Sequence, residues 1–446
     1  MDSGNTAWML ASAALVLFMT PGLAFFYAGM VRSKNVLSML LLNFVCMGVV
    51  TVLWVIGLYS LAFGNDTGAG LIGDLSQVGL AHMQQPVAGY AEALAQTIPP
   101  PVFVAFQLTF AILTPALISG AVADRVKFGS WVMFVALWAT LVYAPVAHWV
   151  FSPGGWLFQL GALDFAGGTV VHANAGAAAL ALILVLGRRR GWPKERMRPH
   201  NLPLVLLGTG ILWFGWYGFN AGSALGAGEL AGYAWINTTV GAAAAMLAWL
   251  GVEKLRDGHA TTLGAASGVV AGLVAITPAC GFVSPLGAIA IGAIAGGACA
   301  LAVSVKHKLG YDDALDVIGV HLVGGVLGAL LIGWFSTTRV NALGVDGVFY
   351  GGGFGLLGKQ ALAVVAVIAY SFIATFVIAK VLQATVGLRV TDEEELQGLD
   401  ETYHAESAYE FTSLSAGGFT SGGPGTGVLT AARREPGDQP ARKVDA

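Results

Sequence analysis

The chain has 446 residues, of which 56% are hydrophobic and only 11% are charged, whereas an average soluble domain has about 25% charged residues. This balance excludes an ordinary soluble domain and predicts an all-α polytopic membrane protein. The formal net charge is −3, and no basic run with interleaved aromatic residues points to a nucleic-acid partner.

Apolar runs long enough to cross a bilayer, about 20 residues each, predict eleven transmembrane helices. The first lacks the basic leader of a signal peptide, because no Lys or Arg precedes Arg32, and we expect it to be retained. In chain order the predicted spans are 6–30, 36–63, 99–122, 128–150, 168–187, 201–220, 231–252, 260–278, 284–305, 315–335 and 358–387.

Basic residues concentrate in alternate connections between these spans. The connections at 64–98, 151–167, 221–230 and 278–284 contain no Lys or Arg, and 336–357 has only Arg339. The remaining connections carry Arg32, Lys34, Arg125, Lys127, Arg188, Arg189, Arg190, Lys194, Arg196, Arg198, Lys254, Arg256, Lys306 and Lys308. The positive-inside rule then predicts an N-terminus outside the cell and, after an odd number of spans, a C-terminus in the cytoplasm.

The composition divides the chain into three parts. Residues 1–387 form the predicted transmembrane domain, and residues 388–410 form a charged cytoplasmic segment. From 411 to 446 glycine, serine, threonine and proline dominate, so we expect disorder there.

Two histidines inside predicted spans are the least ordinary feature of the sequence, because ionisable groups are rare within membranes. Asp164 precedes Val171-His172 in span five, and Asp316 precedes Val320-His321 in span ten. The lag of five spans predicts a five-plus-five inverted pseudo-repeat with helix eleven added. His148 lies near the outer end of span four, where a structural role is the default.

Several chemistries use paired histidines. Haem ligation is one; zinc would need further ligands, for which no nearby Cys, Asp or Glu cluster is seen. A hydrogen-bonded core pair is the plain structural alternative. A hydrophobic pore whose histidines share a proton is another. Because a bare ion in a low-dielectric medium costs tens of kcal/mol, such a pore suits ammonium, which can deprotonate, and not potassium, which cannot.

A pore of this kind would recruit its cation with aromatic faces and a hydroxyl acceptor. The alternative for most aromatic residues at this depth is an interfacial belt. The candidates are Phe106, Phe110, Trp149, Phe151, Trp216, Phe219 and Ser223.

Motifs along the whole membrane region resemble the ammonium transporter (Amt/Mep/Rh) family, most closely its bacterial and archaeal Amt branch. The matching segments are 20–30, 31–35, 161–172, 200–203, 215–223, 275–281 and 319–321. The resemblance implies a homotrimer in the cell membrane with one pore per subunit, which transports ammonium or ammonia without enzymatic activity or a cofactor.

The resemblance also implies roles for individual residues. Phe110 and Ser223 match the external ammonium site, and Phe110 with Phe219 matches the phenylalanine gate. His172 and His321 match the twin histidines of the pore, with Trp216 as a pore-lining residue. Asp164 and Asp316 are expected to support the site structurally, without touching the ligand.

The chain departs from the family pattern at one recruitment position. Phe151 stands where tryptophan is common; it keeps a cation–π face but lacks the indole N–H. The stretch 387–409 resembles the family's regulatory C-terminal region, which implies control by a PII-type signal protein. An ammonium sensor that signals through this region and a haem-binding redox protein remain as alternative functions.

Overall fold

The computed structural model of the chain describes residues 1–87, 89–90, 97–195 and 197–409. Arg196 and the predicted tail at 411–446 lie outside the described residues. Within the described ranges the chain is helical, and β-pairing is limited to three isolated bridges. The prediction of an α-helical, multi-pass membrane protein is confirmed.

Among the described residues, ten helices are long and apolar enough to cross a membrane, and one apolar helix is shorter. They are α1 (Ser3–Met30), α2 (Val36–Phe63), α3 (Pro100–Val122), α4 (Phe128–Leu160), α5 (Gly168–Leu186), α6 (Leu202–Gly222), α7 (Glu229–Asp257), the shorter α8 (Thr262–Ile276), α9 (Pro285–Leu309), α10 (Ile318–Phe335) and α11 (Gly355–Thr385). Their bounds lie within five residues of the predicted spans, except that α4 runs ten residues beyond the predicted end at 150.

Helix α8 is shorter than predicted, since 15 residues replace the expected span 260–278. It begins directly after Thr261, whose hydroxyl accepts the Gly264 N–H at 2.8 Å. It ends at Thr277, where the chain turns so that the Pro278 carbonyl accepts the Phe165 N–H at 3.0 Å. Pro278, which was predicted to lie in the span, therefore lies outside the helix and contacts the loop before α5.

The connections between the helices fall into two sets, and connections of the same set contact one another. After odd-numbered helices, the contacts include Arg32 with Asp124 at 3.2 Å and Arg189 with Asp312 at 2.8 Å. After even-numbered helices, they include the Thr337 N–H donated to the Phe282 carbonyl at 2.8 Å. We call the first set the basic end of the molecule and the second set the cavity end.

Glycines bring α1 and α6 into close contact. A Cβ on Gly208 of α6 would lie 2.3 Å from the backbone nitrogen of Phe26, and one on Gly22 of α1 would lie 2.6 Å from the Ile211 side chain. Such small residues let helix backbones approach closely within a membrane. Helix α6 carries two residues of the site described below, Trp216 and Phe219.

The C-terminal segment folds onto the basic end as two short helices, α12 (Asp392–Gln397) and α13 (Leu399–His404). The Asp400 carboxylate accepts the backbone N–H groups of Leu37 at 3.0 Å and Ser38 at 2.8 Å, in the first turn of α2. Negative charge at a helix N-terminus is favourable. The segment is thus attached to the helices and is not a free tail up to His404.

Candidate functional site

A cavity of about 440 Å³ opens at the cavity end. Its walls are largely apolar and rich in aromatic side chains, and a few polar residues also line it. The aromatic lining includes Phe106, Phe110, Phe151, Phe158, Phe165 and Phe282, and the polar lining includes Gln107, Asp164, Ser223 and Asn341. An apolar cavity with a few convergent polar groups is the usual form of a small-ligand site.

Ser223 and Phe151 face this cavity from different helices. The Ser223 hydroxyl donates its proton to the Phe219 carbonyl at 2.8 Å, so its oxygen lone pairs remain available as acceptors. Phe151 ends the regular part of α4 and is held there by Tyr90, whose hydroxyl donates to the Phe151 carbonyl at 2.6 Å. The cavity thereby combines an aromatic face with a hydroxyl acceptor.

Gln107 is a polar lining residue that was absent from the sequence prediction. Its side chain is only 7% exposed, and within the described part of the chain its Oε1 has no hydrogen-bond partner. A buried amide oxygen without a donor is costly, and a cation bearing N–H groups would relieve that cost. The position could have been suspected from its place between Phe106 and Phe110 on α3.

Phe110 and Phe219 close the floor of the cavity. Their ring centroids lie 4.3 Å apart at an interplanar angle of 41°, and each side chain is at most 1% exposed. Phe106 packs against Phe110 with centroids 4.8 Å apart. The three rings therefore form one buried aromatic cluster at the inner side of the cavity.

Trp216 lies beyond this floor and is absent from the cavity lining. Its ring stacks on that of His172, with centroids 5.4 Å apart and planes 17° apart. The indole N–H donates to the Thr277 hydroxyl at 2.8 Å, which fixes the ring orientation. Thr277 is thus a second residue that the sequence reading missed.

His172 and His321 meet directly beyond the phenylalanines. Their Nδ1 atoms lie 3.2 Å apart, and the ring planes differ by 20°. His172 is fully buried and His321 is 3% exposed. Because a hydrogen bond needs one donor and one acceptor, a neutral pair shares a single N–H here. One Nε2 then carries a proton and the other a lone pair, as in a proton relay.

Each histidine lies in a π-helical turn followed by an α-helix. The turns span Gly168–Ala173 in α5 and Ile318–Leu322 in α10. Such turns are frequent at functional sites, because the extra residue redirects side chains from the regular helical positions. The same local device therefore occurs in both candidate halves of the chain.

The two helices approach through glycines placed four residues after each histidine. A Cβ on Gly176 would lie 2.5 Å from the backbone nitrogen of Leu322, and one on Gly325 would lie 2.8 Å from that of Ala173. Neither position can hold a larger residue without separating the helices. This close crossing is what brings the two imidazoles within hydrogen-bonding distance.

Asp164 organises the start of α5. Its carboxylate accepts four backbone N–H groups, from Gly167, Gly168, Thr169 and Val170, at 2.7 to 3.2 Å. Burial raises the pKa of Asp164 above its ordinary value, and these four bonds oppose that shift. The residue also lines the cavity, so it stands between the helix start and the solute space.

The counterpart of Asp164 at α10 is Asp313, whereas Asp316 was the predicted one. The Asp313 carboxylate accepts the Ile318 N–H at 2.7 Å, at the start of α10. Asp316 instead adopts a left-handed backbone conformation with φ of 62° and pairs with Lys306 at 2.6 Å. Spacing was the overlooked signal, because Asp164 and Asp313 each precede their histidine by eight residues.

Comparison with known proteins identifies relatives over nearly the whole chain. The family model of the Ammonium Transporter Family matches residues 7–409. An ammonium transporter of Mycobacterium tuberculosis is 57% identical over 93% of this chain and 92% of its own length. One from Bacillus subtilis is 50% identical over 92% of this chain and 99% of its own length.

Solved structures agree with these relatives. The crystal structure of Saccharomyces cerevisiae Mep2 superposes with a TM-score of 0.81 at 36% identity, covering 88% of each chain. A structure described as a sensor Amt protein gives a TM-score of 0.80 at 31% identity, covering 89% of this chain and 97% of its own. The family match and these identities establish that the chain belongs to the ammonium transporter family.

Proposed function

We propose that this chain carries ammonium across the cell membrane through a passage that runs from the cavity, between Phe110 and Phe219, to the pair His172 and His321. Family membership supports ammonium as the transported solute. The observation that carries the mechanism is the 3.2 Å contact between the two Nδ1 atoms in a buried, aromatic-walled space.

In this proposal the cavity binds the ion first. The rings of Phe110 and Phe151 offer cation–π faces, and the oxygens of Ser223 and Gln107 accept N–H bonds. A spherical potassium ion has no N–H to donate, so it gains less from oriented acceptors. The cavity thus concentrates the ion before any proton is removed.

Passage beyond the phenylalanines requires loss of charge. The side chains around the histidines carry no formal charge. A bare cation in this space would cost tens of kcal/mol. The bare Nε2 can take up a proton from ammonium, the shared hydrogen then moves from one Nδ1 to the other, and the second Nε2 releases its proton toward the basic end. Ammonia is left to move on, whereas potassium keeps its charge and is rejected.

Membrane topology is proposed on the same basis. Although α8 has 15 residues, Glu253 near the end of α7 bonds to Thr261 at its start, and the turn after α8 contacts Phe165 at the cavity end. This supports α8 as a true crossing, eleven in all. With the basic end in the cytoplasm, the N-terminus and the cavity lie outside and the C-terminus inside.

A homotrimer and a PII-type regulator are further parts of the proposal. The C-terminal segment 388–409 lies at the basic end, where Arg389 pairs with Glu395 at 2.7 Å. A cytoplasmic protein that contacts this segment could act on the helices to which Asp400 is bonded. Native mass spectrometry tests the trimer, and co-purification with a PII-type protein in low and high ammonium tests the regulator.

The direct test of transport is current recording from proteoliposomes on a solid-supported membrane. An ammonium jump should produce a charge displacement, and an equal potassium jump should not. A passive sensor, the second candidate suggested by the similarity to a sensor Amt protein, would bind ammonium without sustained flux. Absence of uptake in a flux assay, with binding retained, would favour the sensor.

A haem-binding function is less consistent with the site. Two imidazoles that hold one metal between them place their nitrogens about 4 Å apart, because each metal–nitrogen bond is about 2 Å long. The facing nitrogens of His172 and His321 are 3.2 Å apart, a hydrogen-bond distance. A Soret absorbance band in the purified protein would overturn this reading.

A further inference from the structure

His148 occupies a buried position between α4 and the connection from α2 to α3. Its ring is fully buried. Nδ1 lies 3.0 Å from the Ala62 carbonyl oxygen, and Nε2 lies 3.2 Å from an oxygen of Asp66. Both ring nitrogens therefore face oxygen atoms, and Asp66 is itself 25% exposed at the side chain.

The proton count of this contact is unusual. A carbonyl oxygen can only accept, so Nδ1 must carry the hydrogen that points to Ala62. A neutral imidazole would then present a lone pair at Nε2 to the carboxylate of Asp66. The contact forms only with one additional proton, on Nε2 or on the carboxyl group.

The same connection holds the next turn of α4 at three further points. The Trp149 indole N–H donates to the Leu71 carbonyl at 2.8 Å. The Tyr90 hydroxyl donates to the Phe151 carbonyl at 2.6 Å, and the Trp156 N–H donates to the Gly70 carbonyl at 3.1 Å. Since Phe151 lines the cavity, the position of this turn sets the position of one aromatic wall.

Other titratable groups near this turn make different contacts. Asp74, on the same connection, bonds to Asn65 and Ser76. Tyr59 of α2 and His172 of α5 lie on helices that pack against this part of α4. In the part of the chain that the structure describes, neither is within hydrogen-bond distance of His148. Asp66 is thus the group whose charge meets the ring.

We propose that the connection between α2 and α3, through its described residues 64–87 and Tyr90, is a proton-dependent clamp on the substrate site, with Asp66 and His148 as positioning residues that act through Phe151. The proposal rests on the function proposed above, which makes Phe151 part of the ammonium site. Without the extra proton, a lone pair on Nε2 faces the carboxylate. The clamp then opens, the turn carrying Phe151 loosens and apparent affinity falls.

The decisive variant is Asp66→Asn. An asparagine amide can donate to a neutral Nε2 while its oxygen still accepts the Gly68 N–H, which Asp66 accepts at 2.8 Å. In this variant the contact with His148 forms without an extra proton. Asp74→Asn is the matched control, because it removes a carboxylate from the same connection without touching His148.

Uptake of labelled methylammonium into proteoliposomes measures the effect. This alkylamine stays protonated near neutral pH, as lysine does, so its charge is constant between external pH of about 6 and 8, where histidines in general change charge. We expect the wild-type KM to rise about three- to tenfold over this range, the scale of a weakened charge-assisted hydrogen bond. Asp74→Asn should behave like wild type, and Asp66→Asn should show a nearly constant KM. An equal rise in KM for Asp66→Asn and wild type would overturn the clamp.

Hydrogen exchange separates this proposal from the proposed function. Peptides covering 148–160 are compared between wild type and Asp66→Asn at the same pH, which cancels the intrinsic pH dependence of exchange. Protection should match at about pH 6 and be lower in wild type at about pH 8. Equal protection at both values would contradict the clamp. A wild type that takes up no ammonium would instead contradict the proposed function, whatever the exchange shows. If Asp66→Asn misfolds, Asp66→Ser gives the carboxylate-free comparison.

Discussion

The contact between His172 and His321 sets the chemistry at the scale of single residues. The two rings face each other through the same nitrogen, Nδ1, at 3.2 Å. Two protonated rings would direct two N–H groups at each other, so the pair holds at most one shared proton at this contact. This geometry, more than the presence of two histidines, is the basis of the proposed relay.

Gln107 should contribute directly to ammonium binding. Replacing it with leucine removes the buried Oε1 acceptor of a residue that lines the cavity and keeps the side-chain volume similar. Loss of one hydrogen bond to a charged ligand should raise KM about tenfold, with a smaller effect on the maximal rate. Gln107→Glu is the control, because it retains an acceptor at this position. An unchanged KM for Gln107→Leu would remove this residue from the binding site.

Phe151 should tune affinity without being essential for transport. Phe151→Trp enlarges the aromatic face, which strengthens cation–π attraction, and adds an indole N–H. The apparent ammonium affinity should change by a few-fold, since such contacts contribute about 0.5–1 kcal/mol at exposed sites. Uptake kinetics of wild type and variant provide the measurement, and identical curves would contradict the assignment.

Asp313 should make stability depend on pH. Burial raises its pKa to about 6 from an ordinary value of 3.8, with the Lys306 charge opposing and the Asp316 charge adding to the shift. Between these values the folded protein holds a proton that the unfolded chain has released. The contribution of Asp313 to unfolding free energy therefore falls as pH rises from about 4 to about 6 and is constant above.

Comparison of wild type with Asp313→Asn isolates this contribution, because the variant does not titrate there. In detergent, the free energy of unfolding of wild type should fall relative to that of Asp313→Asn by on the order of 2 kcal/mol as pH rises across that window. Parallel stability curves for the two proteins between pH of about 4 and 6 would mean that Asp313 does not hold the proton.

At the scale of elements, the site depends on how closely α5 and α10 cross. Gly176 and Gly325 each follow a histidine by four residues, and each packs against the backbone of the other helix. An aspartate stands eight residues before each histidine. The pattern of Asp, His and Gly therefore repeats in both helices, and this supports the proposed pseudo-repeat more strongly than the pairing of Asp164 with Asp316.

Gly325→Ala should impair both stability and transport. Its Cβ would lie 2.8 Å from the Ala173 nitrogen and 3.1 Å from the His172 Cβ. The helices must separate, which should cost about 1–3 kcal/mol and lengthen the contact between the histidines. Thermal unfolding and ammonium currents measure the two effects.

Gly358→Ala is the matched control, because a Cβ at Gly358 of α11 would meet open space. That variant should retain full transport and stability within about 1 kcal/mol of wild type. Equal behaviour of the two alanine variants would mean that the close crossing at Gly325 is not needed.

The helix bounds were predictable because apolar length marks a membrane helix directly. Helix α8 was predicted too long because Thr277-Pro278 ends it, and a turn within an apolar run leaves hydrophobicity unchanged. Gln107 was missed for a related reason: its importance depends on which face of α3 borders the cavity. Side-chain partners such as Thr277 for Trp216 follow from tertiary packing, which local sequence does not specify.

At the scale of the whole molecule, the fold places a buried ion pair at the basic end and the aromatic cavity at the cavity end. Arg189 and Asp312 pair at the basic end while 94% of the Arg189 residue surface is buried. Burial alone would raise the pKa of Asp312. The pairing with Arg189 outweighs that effect and keeps the pKa of Asp312 below its ordinary value. The alternation of basic residues predicted which connections share an end, since charge placement is a whole-chain property readable from sequence.

The central claim is that the two histidines select ammonium over potassium. Currents on a solid-supported membrane, recorded for wild type, His172→Ala and His321→Ala with equal ammonium and potassium jumps, test it most directly. The account predicts that the ratio of ammonium to potassium current falls at least about tenfold in each variant, a loss of about 1.4 kcal/mol of discrimination. Unchanged ammonium currents with potassium still excluded in both variants would contradict it.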